Sequence, residues 1–296
     1  MNIDRIRTVA VIGSGTMGSQ IAQQCALYGY SVSLMDSDPA QLEQALAGNR
    51  DQLQRRVDRG KLTAEQMESA LELVRVTPDL AEAAEADFVV EAVVEQLEAK
   101  RDVFAQLDRL TLPHTILATN SSTITISRIA SDVSHPERCL NMHFFHPVLV
   151  MPLVEVMPGP STSPDAVLAS MELARRIGKE PVLVRREIYG LIVNRILGAM
   201  KREAFQLAEE GYATPEDIDR AVKLGLNHPM GPFELSDFSG LDVYYYAALE
   251  RYRETGEEQD KPSRLLEEKV KAGHLGRKTG KGFYDYSEAG HQPRQR

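Results

Sequence analysis

The first 186 residues alternate short apolar runs with longer amphipathic segments. The apolar runs have the length of buried strands, and they occupy residues 9–12, 31–36, 74–77, 87–93, 115–119, 138–146, 150–157 and 181–184. Apolar residues spaced three or four apart predict helices after the first run and over residues 39–74, 97–110 and 165–177. A capping-box sequence that begins at Thr63 predicts a second helix start inside residues 39–74. Strands that alternate with helices indicate an α/β fold with a doubly wound, mostly parallel sheet.

From residue 187 onward the pattern changes to helical periodicity alone. The predicted helices span residues 191–210, 233–237, 242–253 and 265–272, and another begins at Pro215 after the capping residue Thr214. Residues 280–286 are expected to form an ordered loop. Because no Gly/Ser-rich linker lies at the change of pattern, we predict an α/β domain over residues 1–186 and an all-α domain over residues 187–296, with a cleft between them.

A glycine-rich turn follows the first predicted strand, and an acidic residue ends the second. Gly13 allows the tight turn, Gly15 lets the backbone approach a pyrophosphate, and Gly18 lets the helix pack against the strand. The free N–H groups at the start of that helix would bind the phosphates. The sequence therefore predicts a Rossmann-type dinucleotide site made by Gly13, Ser14, Gly15, Thr16, Met17, Gly18 and Asp36.

Asp36 indicates which dinucleotide binds. A carboxylate at this position can accept a hydrogen bond from a ribose 2′-hydroxyl, and no arginine follows at once to receive a 2′-phosphate. NAD is therefore favoured over NADP, although residual use of NADP stays open. The alternative is a glycine-rich turn without a ligand, in which Asp36 only caps the turn at residues 37–39.

Composition narrows the class of protein. A net charge of −9 argues against nucleic-acid binding, and no apolar run approaches the ~20 residues of a membrane-spanning helix. The first residues lack a signal-peptide pattern. Cys25 and Cys139 have no metal-ligand spacing, so we expect buried, reduced thiols, no metal site and a cytoplasmic location.

A basic cluster interrupts the acidic chain at residues 50–61. Arg55 and Arg59 lie four positions apart, so they share one face of the predicted helix. Charge alone leaves two alternatives equally open. The cluster is either a solvated helix surface or a binding surface for a polyanionic substrate.

Polar residues that follow parallel strands mark the ligand-binding edge of such a sheet. Oxidation of a secondary alcohol by NAD requires a base for the hydroxyl proton and donors for the oxygen. His143 could be the base, with Glu155 fixing its tautomer, and Ser122 and Asn194 could bind the oxygen. The strand around Glu155 is so apolar that its carboxylate is expected to be buried with a partner.

Each of these residues also has a purely structural explanation. His143 could be a satisfied strand histidine, and Glu155 could be a solvent-facing strand residue. Ser122 could cap a helix that begins near Thr125, and Asn194 could be an ordinary polar helix residue. Their convergence on one cleft favours the catalytic interpretation.

The chain resembles the L-3-hydroxyacyl-CoA dehydrogenases, specifically the short bacterial 3-hydroxybutyryl-CoA dehydrogenase type. The resemblance covers nearly the whole chain. It rests on the segments at residues 11–19, 91–95, 120–122, 143–145, 153–156, 192–195, 228–235 and 275–284.

The resemblance implies reversible oxidation of an (S)-3-hydroxyacyl-CoA to a 3-oxoacyl-CoA in fatty acid or related acyl-CoA metabolism. The predicted helices of the second domain carry more apolar surface than one small layer can cover, which predicts a homodimer. His143 resembles the general base, Glu155 its orienting carboxylate, and Ser122 and Asn194 the contacts to the substrate oxygen. Further positions match residues that bind NAD or the CoA phosphates in the family: Glu95, Lys100, Lys278, Arg55 and Arg59.

Two departures from the family pattern leave the substrate open. His146 stands where the family usually has Asn, on the nicotinamide side, and residues 188–191 replace the usual Pro-Gly-Phe segment near the acyl pocket. The preferred acyl chain length therefore stays open. Two alternatives remain, namely a dehydrogenase of a free hydroxy acid on the same fold and an inactive NAD-binding sensor.

Overall fold

A computed structural model describes residues 6–287 of the chain, apart from the side chain of residue 254. These residues form two compact units, and the division falls between Ile192 and Val193. The first unit is an α/β unit and the second is helical. Within the described residues, no helix is long and apolar enough to cross a membrane.

The first unit contains strands and helices in alternation. The strands are β1 (Thr8–Ile12), β2 (Ser31–Met35), β3 (Val74–Thr77), β4 (Phe88–Glu91), β5 (Ile116–Thr119), β6 (Cys139–Phe144), β7 (Leu153–Pro158) and β8 (Glu180–Leu183). The helices are α1 (Thr16–Leu27), α2 (Pro39–Asp58), α3 (Ala64–Glu72), α4 (Leu97–Leu110), α5 (Ile126–Ile129) and α6 (Pro164–Arg176).

The described strands form one sheet in the order β3-β2-β1-β4-β5-β6-β7-β8. Neighbouring strands pair in parallel, except that β6 and β7 pair antiparallel. The predicted doubly wound, mostly parallel sheet is therefore confirmed. The chain leaves β1 toward β2 on one side and later returns to β4 on the other, so the carboxyl end of β1 is a topological switch point.

Both faces of the central strands β1, β4, β5 and β6 are buried, which explains their continuous apolar runs, whereas the edge strand β8 is largely exposed. Along β1, Val9 and Val11 join one core, whereas Ala10 and Ile12 join the core on the opposite face. Cys25 and Cys139 are buried free thiols, and burial raises the pKa of each to about 12. These thiols are therefore inert parts of the core.

One predicted helical segment is divided in the structure and one predicted strand is shorter. Residues 39–74 contain two helices, as the helix start predicted at Thr63 implies, and Gly60 with a left-handed φ of 65° follows the end of α2. Thr63 then starts α3 with the predicted capping box, in which the Thr63 hydroxyl and the Gln66 side chain each bind the other's backbone N–H. The strand predicted over residues 87–93 ends at Glu91, where the chain turns beside Gly13.

The second unit is built from helices α7 (Val193–Glu209), α8 (Pro215–Leu226), α9 (Pro232–Ser239), α10 (Leu241–Thr255) and α11 (Arg264–Lys271). Its core centres on Phe205 and Phe233, whose ring centroids lie 4.8 Å apart, with Phe283 packed against both. The buried carboxylate of Asp237 accepts hydrogen bonds from the N–H groups of Phe283 and Tyr284. The predicted loop at residues 280–286 is therefore held in place by α9.

Candidate active site

The glycine turn at the carboxyl end of β1 has the geometry that the sequence predicts. The Gly13 N–H donates to the Met35 carbonyl oxygen at 2.7 Å, and the φ of Gly13 is 98°. A Cβ atom on Gly13 would lie 2.6 Å from the carbonyl oxygen of Ala92, and one on Gly18 would lie 1.8 Å from that of Gly13. Side chains are therefore excluded at both positions by close backbone packing.

Gly15 differs from the other two glycines of the turn. A Cβ atom on Gly15 would meet no protein atom within 4 Å. Gly15 precedes α1 without a side-chain cap, Thr16 is exposed, and Met17 is half-buried. The first N–H groups of α1 thus face an open cradle, and this arrangement fits the pyrophosphate of a dinucleotide.

Asp36 directly follows β2, and its carboxylate forms hydrogen bonds with the glycine turn. Its Oδ2 atom accepts hydrogen bonds from the Ser14 N–H at 2.8 Å and the Ser14 hydroxyl at 2.9 Å. Its Oδ1 atom accepts one from the Asp38 N–H at 3.1 Å. Asp36 therefore caps the turn at residues 37–39, as the alternative without a ligand predicts. The same carboxylate also binds Ser14 of the glycine turn directly. A carboxylate accepts several hydrogen bonds, so these contacts are compatible with a further bond to a ribose hydroxyl.

Polar side chains after β4 and β5 form a network at the same sheet edge. Lys100 is buried, and its ammonium lies 2.8 Å from Glu91 and 3.3 Å from Glu95. Glu95 also accepts hydrogen bonds from the hydroxyls of Ser121 and Thr123 at 2.5 and 2.7 Å. Burial opposes ionisation of Glu95, but Lys100 and these hydroxyls outweigh it and lower its pKa. The buried Lys100 ammonium therefore helps to fix the orientation of the Glu95 carboxylate.

Ser122 lies in the loop after β5. The capping role that the sequence also allowed for Ser122 is performed by Ser121 and Asn141. The Ser121 hydroxyl accepts a hydrogen bond from the Ile124 N–H at 2.8 Å, and Asn141 Oδ1 accepts one from the Ile126 N–H at 2.8 Å. The half-buried Ser122 makes no side-chain hydrogen bond to a residue within 6–287. Its hydroxyl is therefore available to a ligand.

His143 and Glu155 form a buried pair. They are opposite residues in the antiparallel pairing of β6 with β7, and His143 Nδ1 lies 3.0 Å from Glu155 Oε2. His143 is 7% exposed and Glu155 is 1% exposed. The other carboxylate oxygen, Glu155 Oε1, accepts a hydrogen bond from the Ile192 N–H at 2.9 Å. The predicted buried partner of Glu155 is thus His143.

This geometry determines what His143 can do. An ionised carboxylate only accepts hydrogen bonds, so the proton of the neutral imidazole is assigned to Nδ1. Nε2 then presents a lone pair, which is what a general base requires. The Phe145 ring packs edge-on at 4.6 Å between centroids and limits the movement of the imidazole.

The parallel strands bring these groups to one sheet edge. The carboxyl ends of β1, β4, β5 and β6 share that edge, because each of these strands pairs in parallel with the next. The edge therefore carries the glycine turn, Glu95, Ser122 and His143. His146 follows β6 at the same edge and is exposed.

The predicted substrate cations lie at the end of α2. Arg55 and Arg59 are exposed, and neither forms an ion pair with a described side chain. Two other arginines of α2 are engaged, because Arg50 binds Glu68 at 3.0 Å and Arg56 donates to the Leu149 carbonyl oxygen at 3.0 Å. The free guanidinium groups are thus the two that the sequence singled out.

Two predicted site residues belong to the second unit. Asn194 is exposed in the first turn of α7. Lys278 is exposed, and its ammonium lies 2.6 Å from Asp242 Oδ2. The predicted contacts of Asn194 with substrate and of Lys278 with NAD remain predictions.

The sequence analysis did not identify Asn141, which fixes the loop that contains Ser122. Asn141 is fully buried, accepts the Ile126 N–H and donates to the carbonyl oxygens of Ser121 and Ile124. The signal was present, because Asn141 lies two positions before His143 in an apolar strand and so shares its face. No cluster of three metal-ligating side chains occurs within residues 6–287.

The fold and the glycine turn define an NAD-binding dehydrogenase of the α/β class with a helical second unit. Comparison with known proteins identifies the family. Residues 8–188 match the NAD binding domain of 3-hydroxyacyl-CoA dehydrogenase, and residues 190–286 match its C-terminal domain. The chain therefore belongs to the 3-hydroxyacyl-CoA dehydrogenase family, and the predicted resemblance is confirmed.

Relatives and solved structures agree with this assignment. The chain is 42% identical to 3-hydroxybutyryl-CoA dehydrogenase of Clostridioides difficile, over 95% of this chain and 99% of that protein. It is 42% identical to 3-hydroxyadipyl-CoA dehydrogenase of Escherichia coli, over 95% of this chain and 59% of that protein. It is also similar to the crystal structure of (S)-3-hydroxybutyryl-CoA dehydrogenase from Ralstonia eutropha, with a TM-score of 0.90, 40% identity, and coverage of 96% and 100% of the two chains.

Proposed function

We propose that this protein catalyses the reversible NAD-dependent oxidation of a short-chain (S)-3-hydroxyacyl-CoA to the 3-oxoacyl-CoA, in fatty acid or related acyl-CoA metabolism. The observation that carries the proposal is the buried pair of His143 and Glu155 at the sheet edge of the glycine turn. Family membership and the names of the relatives support the acyl-CoA substrate.

NAD accepts the hydride when it is bound. Its phosphates would be held by the N–H groups that follow Gly15, and its ribose by Asp36. Lys100 would support Glu95 at the same cofactor site. His146 would border the nicotinamide side. Lys278, which forms an ion pair with Asp242, would leave that carboxylate to bind the cofactor.

The chain's own residues handle the proton and the oxygen of the substrate. His143 Nε2 removes the hydroxyl proton during oxidation and returns it during reduction. Glu155 stabilises the resulting imidazolium through Nδ1. Ser122 and Asn194 donate hydrogen bonds to the oxygen as it becomes a carbonyl.

Arg55 and Arg59 are proposed to bind the CoA phosphates. Both guanidinium groups are exposed and lack an ion-pair partner among the described residues. A guanidinium can bind phosphate through two parallel hydrogen bonds. This proposal gives the basic cluster a function in a chain whose net charge is −9.

A homodimer in the cytoplasm is part of the proposal. Several apolar side chains of the second unit are exposed, including Ile196, Leu224 and Tyr246. A second copy of the chain would remove such side chains from water. Molar mass by light scattering would test the oligomeric state, and a monomer would contradict this part.

The substrate is tested by following NADH formation with paired substrates. We expect turnover of (S)-3-hydroxybutyryl-CoA and little turnover of its (R)-isomer or of free 3-hydroxybutyrate. Comparable turnover of the free acid would favour the alternative of a free hydroxy acid dehydrogenase. No NADH from CoA esters of any length would favour an inactive NAD-binding sensor. Esters of graded length would define the chain-length preference.

A further inference from the structure

The chain between β8 and the end of the first unit makes an unusual turn. Leu191 has a φ of 49°, in the left-handed region that favours glycine, and it follows Gly190 with a φ of 75°. A left-handed backbone is strained for a branched side chain such as leucine. We refer to residues 187–192 as the connection.

Packing and hydrogen bonds hold the connection in this conformation. The Leu191 side chain is buried with Met157 and Val184. The Ile188 N–H donates to Met157 Sδ at 3.3 Å, and the Leu191 N–H donates to the Ile188 carbonyl oxygen at 3.2 Å. A strained backbone persists only where its surroundings fix it, and it is concentrated at functional sites.

The left-handed turn directs a backbone hydrogen-bond donor toward the pair of His143 and Glu155. The next backbone N–H after Leu191 is that of Ile192, and it donates to Glu155 Oε1 at 2.9 Å. The other oxygen, Glu155 Oε2, binds His143 Nδ1 at 3.0 Å. One carboxylate thus links the imidazole to the connection.

We propose that Leu191 is a positioning residue for the catalytic pair. Its buried side chain fixes the left-handed turn, the turn aims the Ile192 N–H at Glu155, and this bond sets the orientation and basicity of His143. The inference rests on the proposed role of His143 as the base, and it adds the connection to the catalytic machinery.

Loss of the Ile192 hydrogen bond should move the pH profile of the enzyme in one direction only. A carboxylate that loses a hydrogen-bond donor becomes more basic, so it stabilises the imidazolium more strongly and raises the pKa of His143. The protonated base is inactive for oxidation, so the acidic limb of the pH profile of kcat/KM moves to higher pH. On the connection and on strands β5 to β8, the other charged or titratable side chains are Cys139, Glu180, Glu187 and Tyr189. Helices α5 and α6, which pack against β6, add Arg128, Asp165, Glu172, Arg175 and Arg176.

An amide-to-ester replacement at Ile192 removes the donor and keeps every side chain. We expect kcat to fall roughly tenfold with an unchanged KM for the acyl-CoA, because a hydrogen bond to a charged group is lost. By NMR titration, the pKa of His143 should rise by roughly 0.5 to 1. The matched control is an ester at Thr162, which removes a hydrogen bond to the Gly159 carbonyl oxygen at 3.2 Å in the turn after β7 and leaves the connection and Glu155 untouched.

Side-chain variants test the packing step independently. Leu191→Ala should lower kcat several-fold with little change in KM, while Leu191→Met should retain activity because it refills the apolar space. An unchanged His143 pKa in the Ile192 ester, or an equal change in the Thr162 ester, would overturn the proposal. The titration requires no turnover, so it remains decisive even if the wild-type protein oxidises no acyl-CoA.

Discussion

His143 and Glu155 face each other across β6 and β7, which pair antiparallel. Opposite residues of an antiparallel pair project from the same face, so the register itself places Nδ1 3.0 Å from the carboxylate. This cross-strand pair lies at the same edge of the sheet as the glycine turn, Glu95 and Ser122.

Glu155→Gln should keep the shape of the pair and lose its charge. The amide stabilises an imidazolium poorly and can bind the wrong tautomer of His143, so we expect kcat to fall by roughly 10²-fold or more. The acidic limb of the pH profile should move to lower pH, because the imidazolium loses its counter-charge. Steady-state kinetics across pH measure both effects, and a wild-type profile would remove Glu155 from this role.

Ser122→Ala should lower kcat by roughly 10²-fold through the loss of an oxygen donor. Its free energy of unfolding should change little, because the hydroxyl makes no hydrogen bond within the described residues. Ser121→Ala is the matched comparison, since it removes the hydroxyl that binds Ile124 and Glu95 and should lower the free energy of unfolding by about 1 kcal/mol. Equal effects of both variants on kcat would contradict a direct role for Ser122.

Replacement of Arg55 and Arg59 by Ala should raise the KM for the CoA ester roughly tenfold and leave kcat near wild type. The effect should shrink as salt is added, because exposed charges are screened. Arg50→Ala is the control, since it removes a cation of the same helix that already binds Glu68. A KM that is unchanged by the double substitution would identify the cluster as a solvated helix surface.

Lys201 offers a stability test that does not depend on function. It is buried against the Tyr244 ring, and desolvation lowers its pKa to about 8 from 10.5. Between these values the unfolded chain binds more protons, so the free energy of unfolding should rise with pH from about 8 to 10.5.

Lys201→Met should raise the free energy of unfolding at pH 7 by about 1–3 kcal/mol and flatten that rise. Lys281→Met is the control, since Lys281 is exposed and forms no ion pair with a described side chain, and it should leave the pH dependence intact. Denaturant unfolding at several pH values measures both. A Lys201→Met protein that is less stable at pH 7 would contradict this account.

The parts of the fold that local sequence determines were predictable. Helix α4 spans the predicted residues 97–110, and the turn after β1 follows from the spacing of its glycines. The capping box at Thr63 is likewise a local pattern. For the helix and the capping box, neighbouring residues supply both the signal and the interaction, whereas Gly13 is also bound to Met35 and packed against Ala92.

Other features of the site depend on how separate strands and loops come together. The pairing of His143 with Glu155 is predicted from the chemistry of the two residues, but the antiparallel register that makes them opposite residues joins two separate strands. The contact of Lys100 with NAD stays a prediction, and its ion pairs with Glu91 and Glu95, nine and five positions before it, are not part of the sequence interpretation. The role of Asn141 behind Ser121 is of the same kind.

The central claim is that His143 is the base of an NAD-dependent oxidation. The most direct test compares turnover and cofactor affinity in His143→Gln, with (S)-3-hydroxybutyryl-CoA as substrate and NADH binding measured by calorimetry. We predict that kcat falls roughly 10²–10⁴-fold while the Kd for NADH stays near the wild-type value. A variant that retains most of its turnover would contradict the account.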